Sequence, residues 1–493
     1  MTGTGVSHRD GEERAAVHDA APVRELLRLR PGARVVPDAT GATRVYAGQR
    51  GTFLGVLTPD QSAALEVLGA GAADHESLLT GVRGRVAEPD LPRVRELVRR
   101  LRAHGWLSVT LTAGRTRLLT FRPLGPAAPP PAGSPAAPDP ADLRLSRFAV
   151  LRADTSGMVL ESPLAHGAVE LHDAGLVGLL ASLAAPATPD AAAAGPHPVA
   201  WPEAVPAVLG ALARQGFLVP RDGGHEREFR YAQWAPHELL FHSRSRDGRH
   251  DAPFGGTRWA EGAADPLPAV RPPFGGPVVP LPRADLEDLR ANDMTLTEVL
   301  EDRRSLRRHD DTAPLTLTRL GEFLYRCARN RGVRGDGNQE LGDRPYPSGG
   351  RSHELEIYPL VERVDGVPPG LYHYDPERHV LELVTRPGPA VRRLSEMSRL
   401  TAQMSSPPQV AFLVTARFGR VMWKYSAMGY AMTLKHVGVL YQVMYGVATA
   451  MGLAGCALGS GDSDAFAAAT GLPWETESTV GEFLLGSRAA QDA

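Results

Sequence analysis

Residues 125–142 read GPAAPPPAGSPAAPDPAD, a stretch of proline, alanine and glycine with almost nothing to bury. Such a segment cannot join a packed core and is expected to run as a semi-rigid extended linker. A domain must therefore close on either side of it. At 493 residues the chain exceeds what one hydrophobic core supports, and a prior of about 150 residues per domain predicts two or three. The expected division is 1–124, the linker 125–142, 143–222 and 223–493.

The segments flanking the linker resemble one another. RLRPGARVVPDATG from Arg28 matches RLSRFAVLRADTSG from Arg144, setting Asp38 and Gly41 on Asp154 and Gly157. LVRRLRAHGWL from Leu97 matches VLGALARQGFL from Val208, setting Gly105, Trp106 and Leu107 on Gly216, Phe217 and Leu218. Each copy has short apolar strands around an Asp-x-x-Gly turn, then an amphipathic helix that a glycine stops before an aromatic-Leu strand. That is the outline of a small winged-helix domain, so two such domains are expected ahead of the C-terminal half.

Composition narrows the function classes. A formal net charge of -2 provides no general attraction to nucleic acid or to anionic lipid. The arginines of RVRELVRRLRAHG suggest DNA binding, but the matching helix of the second copy carries only Arg214, too little for a recognition helix. Two cysteines, Cys327 and Cys456, exclude a disulfide framework and leave no Cys/His cluster at metal spacing, so no metal is expected. The most apolar stretch, AGLVGLLASLAA, stops at Pro186, short of a membrane span, and the first residues lack a signal-peptide core. A cytoplasmic protein with no membrane partner is expected.

Beyond Asp222 the texture changes, and 225–293 mixes aromatics, arginines and Pro-Gly turns without periodicity, as an irregular segment wrapped over a core does. Regular structure follows. Thr295 and Glu298 form a capping box, and Leu320, Phe323, Leu324 and Cys327 share one helix face, which makes Cys327 a packing residue. Strands are expected at 355–361, 370–374, 380–384 and 410–414, the middle two joined by a hairpin at DPERH. A long helix through Val437, Leu440, Tyr441, Met444, Val447 and Met451 is apolar nearly all round, as at a subunit interface. Helices, strands and helices in blocks indicate α+β order.

Three clusters carry chemistry. Arg303, Arg304, Ser305 and Arg307 in EDRRSLRRHD offer guanidinium forks and a hydroxyl that suit a phosphate and the edge of a planar cofactor; taken alone, such a cluster is more often a solvated helix face. Pro347, Ser348 and Gly349 in RPYPSGGRSHELEIY form a turn whose glycines admit close backbone approach to a ligand. Lys424 and Tyr425 stand just before the long helix, and GLAGCALG closes it in a Gly-rich turn. Beside a cofactor, the Lys424 ammonium would favour a Tyr425 phenolate by charge proximity.

In this order and spacing the clusters resemble the SagB-type, McbC-like azoline dehydrogenases, FMN enzymes of the nitroreductase-like fold, over about residues 225–493. The resemblance implies a mixed or antiparallel sheet with surrounding helices and one long buried helix. It implies FMN contacts from Arg303, Arg304, Ser305 and Arg307, from Pro347, Ser348 and Gly349, from Gln442, and from the loop Gly455, Cys456, Ala457, Leu458 and Gly459. Lys424 and Tyr425 match the family's catalytic pair. Where the family has His and Asn around the matched glutamine, this chain has Val439 and Val443.

The implied reaction oxidises thiazoline and oxazoline rings to thiazoles and oxazoles in an azoline-containing precursor peptide. The implied partners are a YcaO-type cyclodehydratase and a second copy of the chain in a homodimer. The winged-helix units resemble elements that read a leader peptide by adding it as a strand. Two other functions fit the same fold: an NAD(P)H-dependent nitro- or quinone reductase, and a non-catalytic peptide-binding scaffold.

Overall fold

A computed structural model describes residues 22–47, 50–124, 143–155, 157–185, 192, 199–248, 250 and 252–489. The Pro/Ala segment 125–142 and the first 21 residues lie outside the described residues. The chain divides into two compact units, Met1–Asp251 and Ala252–Ala493.

The first unit bears the marks of the sequence repeat. Leu29 pairs with Leu107 across one strand pair, and Leu145 pairs with Leu218 at the equivalent point of the second copy. The helices Leu91–Ala103 and Val205–Arg214 bury matching positions: Val94, Leu97 and Leu101 in one, Val205, Val208 and Leu212 in the other. Both helices stop at a glycine in the left-handed region, Gly105 (φ 71°) and Gly216 (φ 84°), where an L side chain would be strained. The amides of Trp106 and Phe217 then return to the carbonyls of Leu101 and Leu212.

The two copies do not close as separate domains. A six-stranded antiparallel sheet runs Val23–Leu29, Leu107–Ala113, Thr116–Pro123, Gly167–Leu171, Gly157–Glu161 and Val150–Asp154, so strands of both copies share one ladder. The join is Val169 opposite Phe121 and Leu171 opposite Leu119. Apolar strands that would be half-bare edges in isolated copies cover one another instead. The unit also extends past the expected boundary at Asp222. Glu226, buried, accepts a hydrogen bond from Ser146 at 2.5 Å, and Arg244 pairs with Glu161, so residues 223–251 belong to this unit and not to the C-terminal one.

The second unit has the expected α+β order. Its seven-stranded sheet runs Val278–Pro280, Val380–Thr385, Gly370–Asp375, Leu355–Val361, Val410–Arg417, Glu477–Ser487 and Leu453–Leu458, with every pair antiparallel. The central strands Leu355–Val361 and Val410–Arg417 are buried along their whole length. One face packs against the helices Leu317–Ala328 and Gly429–Ala450, the other against Pro389–Thr401 and Ser463–Thr470. The capping box at Thr295 is present, and Cys327 is fully buried in the core.

Two expectations are corrected here. GLAGCALG is not a Gly-rich turn: the helix ends at Ala450, the chain turns at Gly452 (φ 60°), and Leu453–Leu458 runs as an edge strand against Glu477–Ser487. Only Gly459 lies beyond the strand, because alternating small and apolar residues fit a half-covered edge as well as a turn. The long helix is not buried on all sides within one chain. Met432, His436, Val437, Leu440, Met444 and Ala448 face the core, while Tyr430, Leu434, Gly438 and Gln442 form an exposed stripe at i, i+4 spacing.

Candidate functional site

The first cluster follows the helix Leu296–Asp302, where the chain leaves helical geometry at Arg303. The Leu306 amide donates to the Gly455 carbonyl at 3.0 Å, which lays the arginine segment along the edge strand. Ser305 Oγ lies 2.9 Å from the hydroxyl of Tyr445 on the long helix, and that hydroxyl accepts the Ala457 amide at 2.8 Å. Arg303 stacks its guanidinium over the Tyr445 ring, and Arg304 anchors Nη1 on the carbonyls of Glu301 and Arg303. Arg307 approaches Cys456, whose thiol burial raises its pKa. Arg488 bridges back to His309, two residues on from Arg307. Arg303–Arg307 and Gly455–Leu458 are therefore brought together by the fold. The exposed Arg304 and Arg307 and the half-buried Arg303, beside one hydroxyl, form a donor set that fits a phosphate.

The second cluster is the turn before Leu355–Val361. Gly349 and Gly350 are needed there for space: a Cβ on Gly349 would come within 2.4 Å of Met432 Cε, and one on Gly350 within 2.4 Å of the Tyr425 hydroxyl and 3.4 Å of Lys424 Nζ. Gly350 also takes φ 61°. The Lys424-Tyr425 pair, half-buried, sits in the turn between Phe418–Met422 and the long helix. Both amides return to the Val421 carbonyl, and the strand-like segment at Gly255 clamps the turn through Ser426. Lys424 Nζ stands 5.4 Å from the centre of the Tyr425 ring. The turn that begins at Pro347 thus meets the Lys-Tyr pair at Gly350, one residue past the expected Pro347–Gly349, from parts of the sequence far apart.

Beneath this turn lies a pair that sequence reasoning missed. The Gly349 amide donates to His436 Nε2 at 2.7 Å, and His436 Nδ1 faces Glu354 Oε1 at 2.6 Å. Both side chains are buried. A lone histidine in an apolar helix and a glutamate at a strand's head carry no sequence signal of being partners.

The fold does not bring the two clusters into contact within one chain. Tyr445 and His436, which hold them, are nine residues apart on the same helix, about 13 Å at 1.5 Å per residue. Gln442 lies on the exposed stripe, away from both. Glu356, on the strand that follows, is locked behind the sheet by His373 at 3.2 Å and Arg417 at 3.4 Å, while the His353 ring packs its edge against Tyr346 and its amide donates to Ser348 Oγ. Among the described residues no group of acidic, His and Cys side chains could hold a metal, and no helix is long and apolar enough to cross a membrane.

Comparison with known proteins bears on both units. The sequence pattern of the nitroreductase family matches residues 300–487, and that of the cyanobactin oxidase ThcOx matches residues 143–251. A protein of Methanocaldococcus jannaschii named as a nitroreductase is 30% identical over 183 residues, 36% of this chain and 81% of that one. The trifolitoxin-processing protein TfxB of Rhizobium leguminosarum bv. trifolii is 35% identical over 84 residues, 17% of this chain and 22% of that one. Among solved structures, the E. coli microcin synthetase McbBCD complex with truncated pro-MccB17 bound includes a similar chain at 20% identity and a TM-score of 0.33, covering 42% of this chain and 83% of that chain.

Proposed function

We propose that this chain, which belongs to the nitroreductase family, is an FMN-dependent dehydrogenase that oxidises azoline rings of a ribosomally made precursor peptide to azoles. The observation that carries the reading is the convergence of the Tyr425 hydroxyl and Lys424 Nζ on Gly350 of the Pro-Ser-Gly-Gly turn. The similarity to a toxin-processing protein and to a cyanobactin oxidase favours a peptide over a free nitroaromatic as substrate.

Arg303, Arg304, Ser305 and Arg307 would hold the FMN phosphate, and the turn at Pro347–Gly349 would lie against the flavin. FMN, when bound, supplies the acceptor for the hydride that one azoline ring carbon loses. Tyr425 takes the proton from the neighbouring ring carbon, with the Lys424 ammonium stabilising the phenolate that accepts it. Loss of both leaves the aromatic ring. Hydride delivery to a nitro group needs no such base, which sets this reading apart from a reductase.

A second copy of the chain would cover the exposed stripe of the long helix and the neighbouring Leu296 and Leu300, 74% and 50% exposed. The first unit would take the leader segment. Its strand Arg50–Val56 has a neighbour on one side only, whereas the corresponding strand of the second copy, Gly167–Leu171, is paired on both. An extended peptide can therefore add beside Arg50–Val56 in the first copy but not beside the equivalent strand of the second. A cyclodehydratase would supply the azolines.

The test is direct: purified protein should be yellow with FMN, and an azoline-containing precursor should lose two hydrogens per ring. Yellow protein that leaves azolines intact but reduces nitroaromatics with NAD(P)H would overturn the reading.

A further inference from the structure

The Pro347–Gly350 turn is gripped from two sides, and only the outer grip belongs to the proposed base pair. On the inner side, the Gly349 amide donates to His436 Nε2, so that nitrogen carries no proton. The ring proton must then sit on Nδ1, which faces Glu354 Oε1 at 2.6 Å. Glu354 is wholly buried, and its other oxygen is 3.4 Å from Ser348 Oγ, which in turn accepts the His353 amide at 3.0 Å. One carboxylate thus fixes both the imidazole tautomer and the serine hydroxyl, and the imidazole fixes the backbone between them.

On the outer side, the same turn leaves room for the Tyr425 hydroxyl and Lys424 Nζ only because Gly350 has no side chain. Movement of the turn by a fraction of an ångström changes its distance from Tyr425. We infer that His436, held in its Nδ1-protonated form by Glu354, is a positioning residue that sets the Ser348–Gly350 turn against Tyr425 and against the flavin. This rests on the proposed function for the flavin's presence, and on the hydrogen-bond geometry alone for the rest. A histidine that merely fills the core would tolerate an apolar side chain of similar size.

The test uses the full-length protein with His436→Leu and His436→Gln. The leucine fills the space but leaves Gly349 N–H and Glu354 Oε1 without a partner, whereas the glutamine carboxamide oxygen can accept the Gly349 amide. His436→Leu should weaken FMN binding about tenfold or more and speed amide exchange across residues 348–352, and His436→Gln should restore most of both. Nitrogen NMR of histidine-labelled wild-type protein, with and without FMN, should show His436 neutral and protonated at Nδ1. Wild-type FMN affinity and amide protection in His436→Leu, or a proton at Nε2, would overturn the inference. If wild-type protein takes up no FMN, the proposed function fails, and the tautomer and amide exchange still decide this one.

Discussion

The hydroxyl of Tyr445 joins Ser305 to the edge strand: it is 2.9 Å from Ser305 Oγ and accepts the Ala457 amide at 2.8 Å. Tyr445→Phe keeps the ring under Arg303 but leaves that amide without its partner. We expect a loss of about 1–3 kcal/mol in stability and weaker FMN binding, read by urea titration and flavin fluorescence. Unchanged values for both would mean that the arginine segment is held by Leu306 and Gly455 alone.

Arg304 spends one nitrogen on two backbone carbonyls and keeps its other donors outward. Arg304→Ala should weaken FMN binding by about 1.5–3 kcal/mol, the cost of a charge-assisted contact. Arg304→Lys should recover only part of this, since an ammonium cannot both hold the carbonyls and fork onto a phosphate. Equal flavin content in all three proteins would return the cluster to a solvated surface.

Tyr425→Phe and Lys424→Ala should each retain FMN yet slow azole formation by about 10²–10⁴-fold, the usual worth of a positioned base. The double variant should be little worse than either, because the two act as one unit. Mass spectrometry of a leaderless azoline substrate gives the rates. Wild-type rates in both single variants would sink the proposed chemistry.

Glu482 and His353 should tilt stability in opposite directions with pH. Burial pushes the Glu482 carboxyl up to about 7, helped by the charge of Asp462 and opposed by Ser398. Its folded pKa lies above the unfolded 4.5, so the stability it contributes is full below 4.5 and is lost as pH rises through 7. Glu482→Gln should therefore gain on wild type at about pH 8 and not at about pH 4, with a slope between of up to about 1.4 kcal/mol per pH unit. His353 is pushed down to about 3 by burial and by Arg344, so its contribution is full above 6.5 and is lost as pH falls toward 3. Denaturant midpoints across this range, for wild type, Glu482→Gln and His353→Phe, check both signs.

A cut between residues 251 and 252 should release a C-terminal fragment that folds and binds FMN, since the compact units divide there. A fragment starting at residue 223 would carry Glu226 and Arg244 without Ser146 and Glu161, their partners in the first unit. It should be the less soluble of the two. Full-length precursor should be oxidised far more slowly by the 252–493 fragment than a leaderless one; equal losses would mean that the first unit reads no leader.

Local order was legible in the sequence and long-range pairing was not. The strand Leu355–Val361 falls where β-branched and aromatic residues predicted it, and the Thr295 box caps its helix as its spacing required. The repeat was visible because equivalent positions such as Leu101 and Leu212 fill equivalent holes. The shared sheet was not, because Phe121 opposite Val169 looks like any half-buried strand residue until its partner is known. The edge strand at Leu453–Leu458 was hidden by its glycines. At the site, the Lys-Tyr pair announces itself by adjacency, whereas the Glu354-His436 pair spans 82 residues and no periodicity links them.

The shared ladder also imposes an order of events on the growing chain. Thr116–Pro123 leaves the ribosome before the Pro/Ala segment and before Gly167–Leu171, its neighbour in the finished sheet. Until the later strand arrives, the earlier one presents a bare row of amides and carbonyls, with Leu119 and Phe121 on its flank. Nascent chains that stall in the interval are open to pairing with one another, and the non-local closure that ends the exposure is intrinsically slow. Damage to the second copy is therefore felt in the first: a substitution that unfolds Gly167–Leu171 re-exposes an aggregation-prone edge more than forty residues upstream, so the two copies survive or fail as one folding unit.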